Sequence, residues 1–241
     1  TCGKLFSTLF GTSYVTMMIL GAVFVLVYTF LGGFLAESVS DFMQAIIMIV
    51  VLILILGLGI SHAGGMSSVM ENVKSIPGFF DFFGIATPVT ENGVQVVENG
   101  APVFGEAGSY GILTICSALA WGLGYFGMPH VLLRFMAIGD ANKLKLSRRV
   151  ATVWVVISMA VSVFIGVIGN AMTKAGVLPT LKDPETIILV VADLISKHGV
   201  LATIIAGLIL AGILAATMST ADSQLLAASS SASQNILKEV F

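Results

Sequence analysis

Charged side chains are what this sequence has least of. Lys, Arg, Asp and Glu make up 10% of the 241 residues, whereas a soluble domain carries about 25%. The scarcity excludes an ordinary soluble enzyme. With 57% hydrophobic residues and a mean hydropathy of +1.03, the chain reads as an integral membrane protein. Cysteine is scarce too. Cys2 and Cys116 stand alone and far apart, which excludes a disulfide framework and a cysteine metal site. No basic tail or patch points to nucleic acid. A phosphate-cradling glycine loop, a Ser–His–Asp arrangement and a metal-ligand cluster are all missing, so neither ATP hydrolysis nor other enzymatic chemistry has residues to perform it. Any uphill work must draw on an ion gradient.

What remains is apolar, and it comes in runs. Five segments lack Asp, Glu, Lys and Arg for about the length that crosses a bilayer: roughly Thr12–Gly33, Phe42–Ile60, Ser109–Leu133, Val150–Thr173 and Gly199–Ala221. None shows the alternating polarity of a barrel strand. The predicted class is therefore all-α integral membrane, with about five transmembrane helices in one transmembrane domain over residues 1–241. A short amphipathic linker, Phe34–Asp41, separates the first two spans.

The few cations set the orientation. Arg134, Lys143, Lys145, Arg148 and Arg149 crowd the connector 134–149, which is predicted to be cytoplasmic. Alternation then places the acidic loop Ser61–Gly108 outside. Within that loop Met66–Ile76 has the makings of a short helix. Glu-Asn-Gly occurs twice, at Glu91–Gly93 and Glu98–Gly100, with strand-like Val94–Val97 between, which predicts a small hairpin. Pro184–Ser196 reads as a short surface helix. The chain opens on Thr-Cys-Gly-Lys without an initiator Met, and an internal segment of a longer transporter is expected.

The third run carries the strongest local signal. Trp121-Gly-Leu-Gly-Tyr125-Phe-Gly-Met-Pro129-His130 packs three glycines and a proline into an uncharged span. Pro129 removes a backbone donor and frees a carbonyl one turn earlier, and the glycines weaken the helix. Broken helix at membrane depth is tolerated where it is buried in protein or lines a cavity, as at the substrate sites of secondary transporters. An interruption is expected between about Gly122 and Pro129. Trp121 and Tyr125 lie one turn apart and offer an aromatic face with polar tips. An aromatic packing stripe beside a structural kink is the competing reading, and His130 fits a packed or hydrogen-bonded histidine. The fifth run ends in hydroxyls. Ala216, Ser219, Thr220 and Ser223 fall on one helical face, and hard cations take such oxygens. Close packing of small residues is the alternative there. Asp222 is an acid within that terminal region, open to a functional, a structural or a surface role.

Three blocks resemble the sodium/solute symporter family, and within it the sodium/proline symporters. They are Gly122-Leu-Gly-Tyr-Phe-Gly-Met-Pro-His130 with Arg134-Phe-Met-Ala137, Tyr28-Thr-Phe-Leu-Gly-Gly-Phe-Leu-Ala36 with Asp41 after it, and Ala216-Thr-Met-Ser-Thr-Ala-Asp-Ser-Gln-Leu-Leu226. The resemblance is colinear through nearly the whole chain and weakest between about Ser67 and Gly108. It implies the inverted-repeat, five-plus-five helix transporter fold, with this chain supplying core helices four to eight. It implies Na⁺-coupled import of L-proline at the cell membrane, with Na⁺ as coupling ion and no organic cofactor. By the same resemblance Trp121, Tyr125 and Pro129 line the substrate site. The carbonyl of Ala216 and the hydroxyls of Ser219 and Thr220 contribute to a sodium site, and Asp41 matches an acidic position linked to sodium-dependent transport. Symport of another small solute, such as pantothenate, a sugar or another carboxylate, and a transporter-like membrane sensor are the alternatives.

Overall fold

A computed structural model of the protein describes residues 2–98, 101–125, 127–181 and 183–237. Helices dominate. They are α1 (Cys2–Phe10), α2 (Tyr14–His62), α3 (Met66–Lys74), α4 (Ile112–Tyr125), α5 (Pro129–Met136), α6 (Leu144–Lys174), α7 (Ile187–Ser196) and α8 (Val200–Ser231). Single 3₁₀ turns at Ala141–Lys143 and Pro184–Thr186 lead into α6 and α7, and a wider π turn, Ala232–Leu237, follows α8. Asp140 and Asp183 accept the backbone N–H two residues on, which satisfies a donor at each start.

The first two apolar runs lie in α2, which is not one straight rod. Gly33 breaks it with φ 58° and ψ −163°. At about 1.5 Å per residue the 49-residue element is about 74 Å long, enough for two crossings of a hydrocarbon core about 30 Å thick. The linker predicted at Phe34–Asp41 is helical and begins at this break. Gly33 sits in a backbone region nearly exclusive to glycine, although a Cβ there would meet no atom within 4 Å. Gly33→Ala is therefore expected to destabilise the folded protein by about 1–3 kcal/mol through backbone strain alone. Gly57, also in α2 and also in open space, has no positive φ, and Gly57→Ala should be neutral or stabilising. Thermal melting of the two purified variants checks this pair. Equal midpoints would mean the break relaxes freely.

The apolar run 150–173 lies inside α6 and the run 199–221 coincides with the first part of α8 from Val200, both helices long and apolar enough to cross a membrane. The third run forms α4 and α5, bent by 43°. The chain divides into two compact units, Thr1–Val50 with Ala120–Val155 and Leu210–Phe241, and Val51–Leu119 with Val156–Ile209.

The second unit has an apolar core of Val69, Val73, Ile168, Met172, Ala192 and Ile209, all at most 3% exposed. Gly169 lets α7 press onto α6; a Cβ there would lie 2.5 Å from the Ile187 side chain. Asn72 donates to Asn170 at 2.8 Å and Lys174 to Ser75 at 2.9 Å, tying α3 to α6. The short helix expected at 66–76 is α3. The expected single hairpin is two. The strands β2 (Thr90–Glu91) and β3 (Val94–Gln95) pair across Asn92-Gly93, both at positive φ, and β4 (Val97–Glu98) pairs with β5 (Ala101–Pro102). The second turn, Asn99-Gly100, lies outside the described residues. Splitting the Val94–Val97 segment between two hairpins gives each Asn-Gly its own pair of strands. The strands β1 (Gly84–Ile85) and β6 (Gly108–Ser109) pair at the base of this excursion.

The first unit is built differently. Leu5, Val25, Ala215 and Ala227 are its buried apolar residues, and Thr29, Glu37, Asp222 and Ser223 are buried among them. Four buried polar side chains beside four apolar ones demand an account, because an unpaired polar group in an apolar interior is costly.

Candidate functional site

The break in the third span is real and local. Helix α4 continues through Gly122 and Gly124 to Tyr125, so two of the expected breaking glycines are helical. Gly127 and Met128 then bond back to the carbonyls of Gly124 and Tyr125 at 3.0 and 3.2 Å, tightening the last turn. Phe126, within the expected interruption, lies outside the described residues. Met128 is extended (φ −66°, ψ 127°), and Pro129 restarts the helix at its first position, where its missing N–H costs nothing. The carbonyl of Met128 accepts from Val131 and Leu132.

The aromatic residues gather at this break. The Trp121 and Tyr125 rings lie 5.5 Å apart at 31°, and His130 meets Tyr125 edge-on at 6.1 Å. Trp121 is 72% exposed and Tyr125 44%. Their face is therefore open, not spent on packing inside the described residues. On the α8 side of the break a cavity of about 250 Å³ is lined by Met128, Pro129, His130, Gln224, Ala227 and Ser231, among others. Pro129 thus lines a cavity shared with α8, while Trp121 and Tyr125 stand outside that lining.

The hydroxyl-rich turn does not end α8. The helix runs ten residues beyond Ala221, to Ser231. The reason is visible in its polar groups. The hydroxyls of Thr217, Thr220, Ser223 and Ser229 reach back to carbonyls of the preceding turn, and Asp222 has found partners off the helix. The Ala216 carbonyl is accordingly not freed; it accepts the Thr220 hydroxyl at 3.3 Å. Ser219 and Thr220 stand on the same stretch, half-buried and exposed. The carbonyl of Ala216 and the hydroxyls of Ser219 and Thr220 thus lie on one stretch of α8, with the Thr220 hydroxyl bonded to that carbonyl.

Next to this turn lies a cluster that sequence reasoning saw only in pieces. Glu37, Asp41 and Asp222 bring carboxylate oxygens within 4.8 Å of one another. Each like-charged pair at that distance repels by about 3.5 kcal/mol at an effective dielectric near 20. Such repulsion is relieved by a cation, by hydrogen-bond donors or by protonation. Arg134 supplies the cation: its Nη2 lies 3.3 Å from Glu37 Oε1 and in contact with Asp41 Oδ2 and the Ser223 hydroxyl. Tyr28 donates its phenol to Asp222 Oδ2, and the Ser223 N–H donates to Oδ1 at 2.8 Å. Asp222 is fully buried, which removes the surface role open to it in the sequence. One oxygen each of Glu37 and Asp41 is buried without a hydrogen-bond partner. Glu37, Tyr28 and Arg134 were not among the expected site residues, and Ser223 was expected only on the hydroxyl face of α8. The local signal in the sequence was that Glu37 and Asp41 stand at i and i+4, on one helical face.

The model of the family described as "Sodium:solute symporter family" matches residues 1–241. The chain belongs to the sodium:solute symporter family. It is 35% identical over 241 residues to the osmoregulated proline transporter OpuE of Bacillus subtilis (strain 168), covering 99% of this chain and 43% of the relative. It is 36% identical over 240 residues to the high-affinity proline transporter PutP of the same organism, covering 99% and 44%. It is also 33% identical over 236 residues to sodium/proline symporter 2 of Staphylococcus saprophyticus, covering 98% and 40%. The chain thus spans less than half the length of these relatives. No solved structure matches it.

Among the described residues three helices are long and apolar enough to span a bilayer, as befits a multi-pass membrane protein of a symporter family. The family's description names sodium and solute together. The broken span and the hydroxyl turn therefore belong to a symporter scaffold.

Proposed function

We propose that the protein is a Na⁺-coupled symporter that imports L-proline. The observation that carries this reading is the open aromatic pair Trp121–Tyr125 standing directly before a helix break. A small ring with a carboxylate and an ammonium group needs both parts: aromatic faces for the ring, and backbone groups near a helix start for the carboxylate. Pro129 forms the wall of the site on the α5 side. The names of the relatives, two proline transporters and a sodium/proline symporter, support the substrate.

In this reading Na⁺ binds the Ala216 carbonyl and the Ser219 and Thr220 hydroxyls, with further oxygens from outside this helix. Asp41 and Asp222 act near the cytoplasmic end, beside the coupling ion's way out. The basic connector 134–149 faces the cytoplasm and the loop 61–108 faces outward, as the Lys and Arg bias requires. Five-plus-five inverted-repeat architecture, with this chain as core helices four to eight, accounts for a broken span and a hydroxyl turn on separate helices.

Equilibrium binding of labelled proline to the full-length protein in detergent tests the substrate. Proline should bind in NaCl and lose most of its affinity in choline chloride. Pantothenate, a hexose and acetate should fail to displace it. Displacement by one of these at lower concentration than unlabelled proline would move the assignment to that solute.

A further inference from the structure

Many exposed apolar side chains of the second unit stand on the long helices α6 and α8, where lipid accounts for them. One tight group does not. Phe79, Phe80, Phe82 and Phe83 lie between α3 and β1, outside the apolar runs, and all four are exposed, Phe82 to 91%. They meet in pairs, Phe79 edge-on to Phe80 at 5.5 Å and Phe82 edge-on to Phe83 at 4.9 Å. The backbone beneath them is held tightly. The Gly84 N–H closes a turn on the Asp81 carbonyl at 2.9 Å, and the Asp81 N–H donates to the Gly78 carbonyl at 3.3 Å. A Cβ at Gly78 would lie 2.5 Å from the Ala107 side chain, and one at Gly84 would lie 2.5 Å from the Gly78 carbonyl oxygen. Two close approaches that glycine alone permits therefore preform the turn.

The height of the rings along the molecule is fixed as well. The Tyr110 N–H donates to the Phe83 carbonyl at 2.8 Å, next to the β1–β6 pairing. Helix α4 starts two residues later, and Ile112 and Leu113 in its first turn are exposed and apolar. One helical turn rises only about 5 Å, so the phenylalanines are tied to the level at which the broken span begins. Their surface is continuous with the lipid-facing start of that span. Asp81 decides what covers it. Its exposed carboxylate stands between the two ring pairs. A dry protein contact over the rings would strip that carboxylate of water at high cost. At the lipid headgroups it stays hydrated while the rings on either side enter the acyl boundary.

We propose that Phe79-Phe-Asp-Phe-Phe83 is a preformed membrane anchor, which seats the excursion between α3 and α4 on the headgroup–acyl boundary of the bilayer that the long helices cross. The four rings supply the apolar contact, and Asp81 limits how deep they go. The anchor ties the two hairpins to the membrane surface beside the first turn of α4. It does not depend on which solute the protein carries.

The full-length protein in proteoliposomes, with its native cysteines changed to serine, tests this through a single cysteine carrying a nitrobenzoxadiazole probe. Phe82→Cys reads the anchor, Glu91→Cys the hairpin tip and Leu113→Cys the span. Emission at Phe82→Cys should be shifted to the blue of that at Glu91→Cys. Lipids spin-labelled near the headgroup should quench it more than lipids labelled deep in the acyl chain, and aqueous iodide should quench it less than at Glu91→Cys. Iodide quenching equal at the two positions would put the rings in water and overturn the proposal. Shielding from both iodide and lipid quenchers would mean that protein covers the rings, and overturns it too. Adding Phe80→Ser and Phe83→Ser to Phe82→Cys should restore iodide quenching and reduce lipid quenching, while the Leu113→Cys probe in the same double background keeps its lipid quenching. Unchanged lipid quenching at Phe82→Cys in that background would mean that the spans alone set the depth, and the anchor role fails. None of these readouts uses proline or Na⁺, so their outcome is separate from that of the transport reading.

Discussion

Trp121→Ala and Tyr125→Ala should each cut proline affinity by about tenfold or more, equivalent to about 1.4 kcal/mol or more. The two rings lie 5.5 Å apart, tilted by 31°, and both are exposed. A bound ring would gain aromatic contact beyond simple area burial, worth about 0.5–1.5 kcal/mol per pair, plus the burial itself. Folding should barely respond, because Trp121 is 72% exposed and its removal opens no cavity in the first unit. The amount of membrane-inserted protein, measured beside initial uptake rates, separates the two effects. Parallel loss of protein and uptake would mean the pair is a packing stripe. Met128→Ala serves as the control. Met128 lines the cavity at the break, and a flexible methionine there fills space without a directional contact.

The second large effect is expected at the hydroxyl turn. Ser219→Ala and Thr220→Val each delete one oxygen and nearly keep the side-chain size. A cation shell short of one oxygen binds more weakly, so half-maximal uptake should need at least about fivefold more Na⁺, within the usual range of site coupling. Proline affinity should fall at fixed low Na⁺ and recover in part at saturating Na⁺, because linkage is reciprocal. The Thr220 hydroxyl bonds back to the Ala216 carbonyl at 3.3 Å, a weak contact whose loss should not unfold α8. Unchanged Na⁺ dependence with lowered yield would assign the turn to packing.

The sequence was most informative where chemistry is local. The span interruption was legible from Pro129 and Gly127, and the structure puts it just before that proline, with Gly122 and Gly124 still helical. The tight turn at Asn92-Gly93 was legible as an Asn-Gly pair, although the division of the strands into two hairpins was not, since a four-residue strand-like segment reads the same whether shared or split. The break at Gly33 stayed hidden. A glycine pair inside an apolar run is ordinary, and only the observed φ of 58° marks it. The continuation of α8 beyond Ala221 was missed because the hydroxyls there look like a helix end, yet they bond back along the helix.

The polar cluster was the least legible feature. Tyr28 and Asp222 are 194 residues apart, Asp41 and Arg134 are 93 apart, and Glu37 and Ser223 are 186 apart. Such pairs leave no spacing signal, and only the i, i+4 placement of Glu37 and Asp41 was local. Asp222 read alone permits a surface role; read with Tyr28 beside it, it is an interior acid held by a phenol and a backbone N–H.

The central claim is that Na⁺ drives proline across the membrane through this scaffold. One Na⁺ entering through 100 mV releases about 2.3 kcal/mol, and a tenfold Na⁺ gradient adds about 1.4, enough for accumulation of roughly several hundredfold. Uptake of labelled proline by the full-length protein in proteoliposomes, with an inward Na⁺ gradient and with equal Na⁺ on both sides, tests this most directly. Transient accumulation above the external proline concentration under the gradient, collapsing to equilibration without it, is the predicted result. Equal uptake under both conditions, or accumulation of another solute in place of proline, would contradict the account.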